Sequence, residues 1–203
     1  MVSGARESSE PLEFTLFSGG DDSKLLASTI AYSPRKCPDE KLSSIEPLYS
    51  PRVFKGHDAG VTAILPLPVS TGWEGVLVVT GSYDDHIRVY RYTGPFQVPQ
   101  LLAEKNLGGG VWRLKSIVAS EADVDEWQVV LLASCMHAGA QIVRLSVDHS
   151  GNVRIVVSGR FEEHKSMNYG SDYAPCTVGS GSRLKCISTS FYDRLLCLWE
   201  CSI

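Results

Sequence analysis

The strongest constraint on the fold is a short motif that recurs four times along the chain. Each copy has small residues, a tight polar turn and a second run of apolar residues, and the four copies align without gaps. The copies begin at Phe17, Val79, Leu132 and Ser188. Because this order of residues is typical of two strands joined by a turn, the sequence predicts four β-hairpins.

The central turn position is an aspartate in three of the four copies. Asp22, Asp84 and Asp193 share this position. A carboxylate held in such a turn needs hydrogen-bond donors, because an unpaired charge in the protein interior is costly. We therefore predict that the three aspartates are structural, with His57 and Ser82 as the natural partners of Asp84.

A second element precedes three of the hairpins and adds an inner strand to each. It is a segment with a leading glycine, and its copies begin at Lys55, Leu107 and His164. A strand, a connection, a hairpin and an outer strand together make one propeller blade, whose sequence typically carries Gly-His, an aspartate turn and Trp-Asp. Gly56-His57 and the turn aspartate of the same repeat show this pattern best. The sequence thus predicts an all-β WD-repeat β-propeller.

The blades are predicted near residues 12–33, 52–92, 107–147 and 164–200, within one domain that covers residues 1–203. The turn positions are more than fifty residues apart, whereas a plain WD repeat has ~40–45 residues. Loops must therefore be inserted, and the proline-rich stretch 34–51 is predicted to be one of them.

The predicted ring is incomplete. About three and a half blades are present of an expected seven, since closed propellers have ~4–8 blades. We expect the N-terminal blades to be absent and a strand edge near residue 14 to be exposed, which would favour aggregation.

Charge and hydropathy exclude several kinds of partner. The chain has 19 basic and 23 acidic residues, so a direct nucleic-acid partner is not expected. No apolar run approaches the ~18 residues of a membrane span, and the first residues lack a signal-peptide pattern. We expect a cytoplasmic protein without a membrane partner.

The six cysteines show no zinc or disulfide spacing, so neither a metal nor a cofactor is expected. Cys135, Cys186 and Cys197 lie in apolar runs, which favours reduced and buried thiols.

The third hairpin carries His137 where the others have aspartate. An imidazole cannot accept hydrogen bonds as a carboxylate does, which leaves two alternatives. Either the local network is rebuilt around a tolerated substitution, or His137 has another task. Histidine titrates near neutrality and can act as a general base, so His137 is a candidate catalytic residue.

Further polar residues lie where the chain leads into the last predicted blade. His164, Tyr169 and Asp172 could converge there and activate water against an ester, although any solvated loop displays such residues. We take His164 and Tyr169 as candidate catalytic residues. Neither a G-x-S-x-G nor an H-E-x-x-H motif occurs, so ordinary serine and zinc hydrolase mechanisms have no support.

Three glycines, Gly108–Gly110, precede the predicted inner strand of the third blade. Glycine allows the backbone to approach a ligand closely, although a tight turn explains the same residues. Trp112 and Arg113 follow at the predicted channel mouth and could contact a cationic and an anionic group respectively. Gly109, Gly110, Trp112 and Arg113 are therefore the candidates for substrate binding.

Six segments in the same order, spanning nearly the whole chain, together resemble one family. The most specific are GGGVW at 108–112, CMH at 135–137 and SFYD at 190–193, whereas TGSYD at 80–84 is common to many WD repeats. The chain looks like the C-terminal half of the WD-repeat hydrolases that remove the methyl ester of methylated diphthine. It departs from that family by lacking the N-terminal blades and by having Tyr90 where the repeat often has Trp.

This resemblance implies an ester hydrolase that acts on translation elongation factor 2, needs no cofactor and leaves diphthine, ready for amidation to diphthamide. Two alternatives remain open. The first is a noncatalytic WD-repeat scaffold, since the fold itself implies no chemistry. The second is a propeller of membrane trafficking or of a peroxisomal receptor.

Overall fold

The chain is all-β, as the sequence predicts. The computed structural model describes residues 11–33, 44–67, 74–123, 126–174 and 183–202. These residues form fifteen β-strands and no helix. Nothing in the described ranges therefore has the length and apolar character of a membrane-crossing helix.

The strands form four antiparallel sheets in chain order. The first sheet contains β1 (Leu12–Gly19), β2 (Leu25–Ser33), β3 (Ser44–Pro47) and β4 (Arg52–Phe54). The second contains β5 (Val61–Leu67), β6 (Val76–Ser82), β7 (His86–Tyr92) and β8 (Gln100–Asn106). The third contains β9 (Arg113–Asp123), β10 (Glu126–Ser134), β11 (Ala140–Asp148) and β12 (Val153–Phe161). The fourth contains β13 (Asn168–Tyr173), β14 (Arg183–Ser190) and β15 (Leu196–Ser202).

All four predicted hairpins are present, as β1–β2, β6–β7, β10–β11 and β14–β15. The sheets differ in extent from the predicted blades. β4 was expected in the second blade but pairs with β2 in the first sheet. β3 lies inside the predicted loop 34–51 and also pairs with β2. β8 and β12, which lie outside the predicted blade ranges, complete the second and third sheets.

Each sheet packs against the next one along the chain. β5 lies against β1 and β9, and β9 lies against β13, so the leading strands of successive sheets are neighbours. Three apolar clusters fill the spaces between consecutive sheets. Their buried members include Phe54 and Tyr90 between the first two sheets, Leu131 and Leu145 between the next two, and Leu184 and Trp199 at the last interface.

Burial patterns follow from this stacking. β6 is buried along nearly its whole length because both faces of the second sheet are covered. β14 alternates strictly between exposed and buried positions, because only one face of the last sheet has a neighbour. In β1, Leu12, Phe14 and Leu16 are 49%, 49% and 54% exposed. Among the described strands β1 pairs with β2 alone, so the strand edge predicted near residue 14 is confirmed for the described part of the chain.

Backbone hydrogen bonds join successive sheets at the end where the hairpin turns lie. In each, the N–H of the segment leading into one sheet donates to the turn carbonyl of the preceding sheet. The pairs are Val61 to Gly20 (3.1 Å), Val111 to Ser82 (2.9 Å) and Asn168 to Met136 (2.8 Å). The turns and leading segments therefore form one continuous surface.

The turn carboxylate of the second sheet is the centre of a hydrogen-bond network. Asp84 accepts from the backbone N–H of Asp58 (2.9 Å) and of His86 (3.0 Å). The guanidinium of Arg88 donates to both carboxylate oxygens, at 2.9 and 2.8 Å. The predicted partner Ser82 accepts from the backbone N–H of Asp84 at 3.2 Å and donates to the carbonyl of Ala59 at 3.0 Å rather than to the carboxylate. Burial opposes ionisation, but the donated hydrogen bonds, led by that of Arg88, lower the pKa of Asp84 below its ordinary value.

The predicted partner His57 is placed differently. Its Nε2 is hydrogen-bonded to Thr80 Oγ1 at 2.9 Å rather than to Asp84. Burial is the main reason that the pKa of His57 falls to about 4, and the positive charge of Arg88 adds to the effect. His57 is therefore neutral in the folded protein near pH 7.

The fourth sheet repeats this arrangement. His164 Nε2 is hydrogen-bonded to Ser188 Oγ at 2.8 Å, and the indole N–H of Trp199 donates to the same oxygen at 3.1 Å. Asp193 accepts from the backbone N–H of Lys165 at 2.9 Å and from the hydroxyl of Ser166. The turn aspartate again accepts the N–H that follows the leading histidine.

The equivalence of His57 and His164 shows that the second and fourth repeats do not align without a gap, contrary to the sequence prediction. Thr80 pairs with Arg88 in the second sheet, and Ser188, which also binds the leading histidine, pairs with Cys197 in the fourth. The last turn therefore contains one residue more than the second.

Asp22 does not have the predicted role. It is 60% exposed, and within the described ranges it interacts with Lys24 alone, through the backbone N–H at 3.2 Å and the ammonium at 3.3 Å. The described part of the first sheet has no leading strand and no histidine to complete the network.

Two of the three cysteines in apolar runs are buried as predicted. Cys135 and Cys186 are inaccessible to solvent, whereas Cys197 is only half-buried. Burial raises the pKa of Cys135 to about 12, so this thiol stays protonated. Cys37 and Cys176 lie outside the described residues.

We predict that Ser188→Ala lowers the free energy of unfolding by about 1–3 kcal/mol. The change leaves the Trp199 N–H and His164 Nε2 without their partner in a buried site. Urea denaturation measures the effect, with Ser150→Ala in the exposed β11–β12 turn as control. Equal stability of the two variants would contradict the structural role of this network.

We also predict that stability depends on pH through His57. Its pKa is about 4 in the folded protein against 6.5 ordinarily, so the unfolded chain binds the proton first as pH falls. The free energy of unfolding should therefore decrease from pH 6.5 towards pH 4, because linkage follows the difference in bound protons. His57→Asn should flatten this profile in denaturation experiments, and an unchanged slope in this variant would contradict the assignment.

Candidate functional site

A row of aromatic rings crosses the surface formed by the hairpin turns and leading segments. It consists of Tyr83, Trp112, Tyr169, Phe191 and Tyr192, and we call it the aromatic arc. Successive ring centroids are 5.8, 5.1, 6.1 and 5.0 Å apart. Its members come from the second, third and fourth sheets, so only the assembled sheets create it.

The arc is accessible to a ligand. Tyr83 is 40% exposed, and Phe191 and Tyr192 are 64% and 71% exposed. Trp112 and Tyr169 are half-buried between them. Single exposed aromatic residues need no explanation, but a contiguous row of them at one end of the sheets is typical of a binding surface.

A groove of about 570 Å³ begins at Trp112 and runs along the leading strands β5, β9 and β13. Arg113 lines it, is exposed, and has no ion-pair or hydrogen-bond partner among the described residues. Lys115 and Asp172 also line it and form an ion pair at 2.5 Å between the third and fourth sheets. The hydrogen bond from Lys115 lowers the pKa of Asp172. The groove thus offers one uncompensated guanidinium, which suits an anionic or carbonyl group.

A chain of hydroxyl groups lies in the same groove. Ser134 donates to Ser171 at 3.0 Å, and Ser171 donates to the amide oxygen of Asn168 at 3.1 Å. Asn168 is fully buried and fixed by two backbone carbonyls. An amide oxygen is no general base, so this chain can orient a ligand but cannot activate a serine nucleophile.

His137 lies exposed in the β10–β11 turn. This turn is rebuilt around its missing carboxylate, with the Cys135 N–H donating to Gly139 and the Ala138 N–H donating to Cys135, both at 2.7 Å. The side-chain amide of Gln141 donates to Leu107 at 2.7 Å and ties the hairpin to its leading segment. The local network is therefore rebuilt without a carboxylate, and within the described residues the His137 ring has no hydrogen-bond partner.

The other catalytic candidates are placed differently. His164 is 7% exposed and bound to Ser188, like His57 in its own sheet. Burial lowers its pKa, and this environment is that of a structural histidine. Tyr169 is part of the aromatic arc, next to Trp112. His137, His164 and Tyr169 are therefore not assembled into a catalytic triad.

The candidate binding glycines are buried in a tight turn. A Cβ on Gly109 would lie 2.4 Å from the carbonyl oxygen of Cys135, and one on Gly110 would lie 2.6 Å from the sulfur of Met136. Close packing of this segment on the β10–β11 turn explains both residues, so their position does not support ligand binding. Trp112 and Arg113, in contrast, face accessible space in the groove.

Tyr83, Phe191, Tyr192 and the ion pair of Lys115 with Asp172 were not predicted from the sequence. Tyr83 and Tyr192 each precede the turn aspartate of their repeat, and this shared position is the signal that could have indicated these two tyrosines. In the described ranges, no group of three or more His, Cys, Asp or Glu side chains could hold a metal ion.

Fold and turn network define the class of this protein. It is an all-β protein whose consecutive antiparallel sheets are blades of a WD-repeat β-propeller. No protein-family model matches the chain. The crystal structure of Saccharomyces cerevisiae Sqt1 superposes with a TM-score of 0.48 and 11% identity, over 95% of this chain and 48% of that chain.

Curated proteins of similar sequence identify the family. Diphthine methyltransferase of Schizosaccharomyces pombe is 34% identical over 186 residues, which is 91% of this chain and 47% of that protein. Diphthine methyltransferase of Saccharomyces cerevisiae is 30% identical over 200 residues, covering 94% of this chain and 46% of that protein. The chain belongs to this family. It spans about half the length of the curated relatives it matches.

We predict that Gly109→Ala destabilises the protein by roughly 1–3 kcal/mol, because overpacking forces the backbone of the two turns apart. Gly20→Ala is the matched control, since a Cβ there meets nothing closer than 3.9 Å. Thermal unfolding of both variants measures the difference. If Gly109→Ala melts like the control, the packing explanation is wrong and a ligand-binding role for this glycine regains support.

Proposed function

We propose that this chain is part of a cytoplasmic carboxylic ester hydrolase that removes the methyl ester of methylated diphthine on translation elongation factor 2. The products are methanol and diphthine, the precursor of diphthamide. The observation that carries the proposal is the sequence similarity to diphthine methyltransferases over more than 90% of the chain. The arc and the adjoining groove support it as a surface that could receive a modified side chain.

Chemically, the reaction requires a water molecule, a base and donors for the developing oxyanion. Oxygen of water adds to the ester carbonyl, and the bond from that carbon to the methoxy oxygen breaks. Methoxide takes up the proton that the base removed from water and leaves as methanol, while the acid that forms releases its own proton to solvent and becomes a carboxylate. In this proposal Arg113 stabilises the negative charge that develops on the carbonyl oxygen and remains on the carboxylate.

His137 is the stronger of the two histidine candidates for the base. Its ring is exposed in a rebuilt turn on the surface that carries the arc. His164 is occupied by Ser188 and held in the protein interior. Tyr169 and Trp112 act in binding rather than in proton transfer, and the glycine turn supports the β10–β11 turn by packing against it.

The test is mass spectrometry of the diphthamide-site peptide of elongation factor 2 from cells that lack the full-length gene. We expect methyl-esterified diphthine to accumulate and to disappear on rescue with the full-length protein. Normal diphthamide in the deletion strain would overturn the proposal and favour the noncatalytic scaffold.

Rescue with variants tests the residue assignment. His137→Ala in the full-length protein should slow ester removal by about 10²–10⁴-fold, the usual contribution of general base catalysis. His149→Ala is the matched control, because His149 is an exposed histidine in the β11–β12 turn at the opposite end of the same sheet. Full activity of His137→Ala would exclude it as the base without excluding the hydrolase.

A further inference from the structure

We propose that a pocket between the first two sheets binds an arginine side chain presented by a segment of a partner protein. The pocket lies at the end of the sheets opposite the hairpin turns, because Glu13 is near the start of β1 and Phe96 is in the connection that follows β7. The aromatic arc lies at the turn end of the sheets. The inference therefore goes beyond the proposed function and does not rest on it.

The pocket has a volume of about 330 Å³. Its lining includes Glu13 on β1, Thr29 on β2, Tyr49 just after β3, and Pro95 and Phe96 in the β7–β8 connection. Binding sites for small molecules span ~300–1,000 Å³, so this pocket has room for one long side chain rather than for a cofactor. Both acceptor oxygens and aromatic rings therefore border the same small space.

An unsatisfied hydroxyl group is the first argument. Thr29 is 7% exposed, and its Oγ1 is buried without a hydrogen-bond partner among the described residues. Its backbone carbonyl is already occupied, because it accepts from the N–H of Leu48 at 2.9 Å. A buried polar atom without a partner is rare in a folded protein and requires an explanation. A donor that enters the pocket would supply the missing hydrogen bond.

Two carboxylates beside this hydroxyl group are the second argument. Glu13 and Glu46 both pair with Ala31, one from each side of β2. Side chains at paired positions lie on the same face of a sheet, and Thr29 shares that face because it is two residues from Ala31. Both glutamates are exposed, and neither has an ion-pair or hydrogen-bond partner within the described ranges. Their charges favour a cation as the donor.

The aromatic rings of the pocket select arginine among the cations. Tyr49 and Phe96 have centroids 4.9 Å apart with planes at 65°. Arginine packs its methylene groups and its planar guanidinium against such rings, and its five N–H donors can reach a carboxylate and a hydroxyl group together. The ammonium of lysine is a strongly hydrated point charge, which gains less from the rings. The combined lining therefore matches a guanidinium best.

The surroundings of the pocket indicate that a protein segment carries the arginine. Phe96 and Val98 are 71% and 79% exposed beside the pocket, and a single bound amino acid would leave this apolar surface uncovered. Stacking of a further sheet does not explain the site. Phe17, on the same face of the first sheet as Thr29, already packs against Tyr92 of the second sheet at 5.5 Å. A segment with an apolar residue next to its arginine fits this surface.

The test uses the purified 203-residue chain and two short peptides. One peptide is acetyl-Gly-Arg-Phe-Gly-amide, and the other replaces its arginine by citrulline, the neutral isostere. Binding is followed by NMR shifts of the peptide protons during titration with the protein. The citrulline peptide should bind at least about fivefold more weakly, because it lacks charge-assisted hydrogen bonds. Equal binding of both peptides, or no binding of the arginine peptide, would overturn the proposal.

Variants locate the site. Thr29→Val should weaken binding of the arginine peptide about tenfold, the usual effect of a hydrogen bond to a charged group. It should not lower the melting temperature, because the hydroxyl group that it removes has no partner among the described residues. Glu13→Gln should weaken binding about two- to fivefold, as expected for an exposed ion pair. Glu163→Gln, at an exposed glutamate just before His164, is the matched control and should bind like the unchanged chain.

Two results with Thr29→Val would overturn the assignment. Unchanged peptide binding would place the arginine elsewhere, and a lowered melting temperature would show that the hydroxyl group has a partner in the unliganded protein. Neither result affects the proposed function, which is tested by ester accumulation in the deletion strain. Conversely, peptide binding that depends on Thr29 would retain this site even if that strain contained normal diphthamide.

Discussion

The aromatic arc depends on the backbone hydrogen bonds that join each sheet to the turn of the preceding one. The Val111 N–H donates to Ser82, and these residues directly adjoin Trp112 and Tyr83 in the chain. An equivalent bond fixes the segment that carries Tyr169. Backbone groups buried at such contacts must be paired, so the relative position of two neighbouring sheets is set to within hydrogen-bond distance. The rings at these junctions therefore meet without any side chain having to bridge the sheets.

The two candidate histidines have different environments for a related reason. His164 precedes a hairpin that has both a strand hydroxyl and a turn aspartate, so it is drawn into the buried network. His137 replaces the aspartate itself, and the turn around it is held by backbone bonds and by Gln141. With the structural task met by other groups, His137 is left at the surface. A titrating group at the surface can exchange protons with water, which a buried neutral imidazole cannot do readily.

Much of the fold could be predicted from the repeats, because hairpins depend on local residues. The small residues, turn and apolar run around Asp84 predict β6 and β7 correctly. The extent of each sheet could not be predicted in this way. Outer strands such as β4 are short, and only their pairing with another strand in the tertiary structure shows which sheet they belong to. Asp22 shows the same limit, since its turn resembles the others while the described residues of its sheet include no strand that would supply its partners. The candidate site was predicted in part, through Trp112 and Arg113, whereas Gly109 and Gly110 proved to be packing residues.

The sequence by itself determined the all-β class, the four hairpins and the family, since periodicity, turn chemistry and motif order are written along the chain. Tertiary structure alone decided which residues share a surface. Asp21 and Tyr169 are far apart in sequence, and both lie near Tyr83 or Trp112 only because successive sheets stack with their turns at the same end. The tertiary structure also decided that His164 is buried and that His137 is exposed. These outcomes depend on distances between sheets, which packing and inter-sheet hydrogen bonds determine and no local pattern encodes.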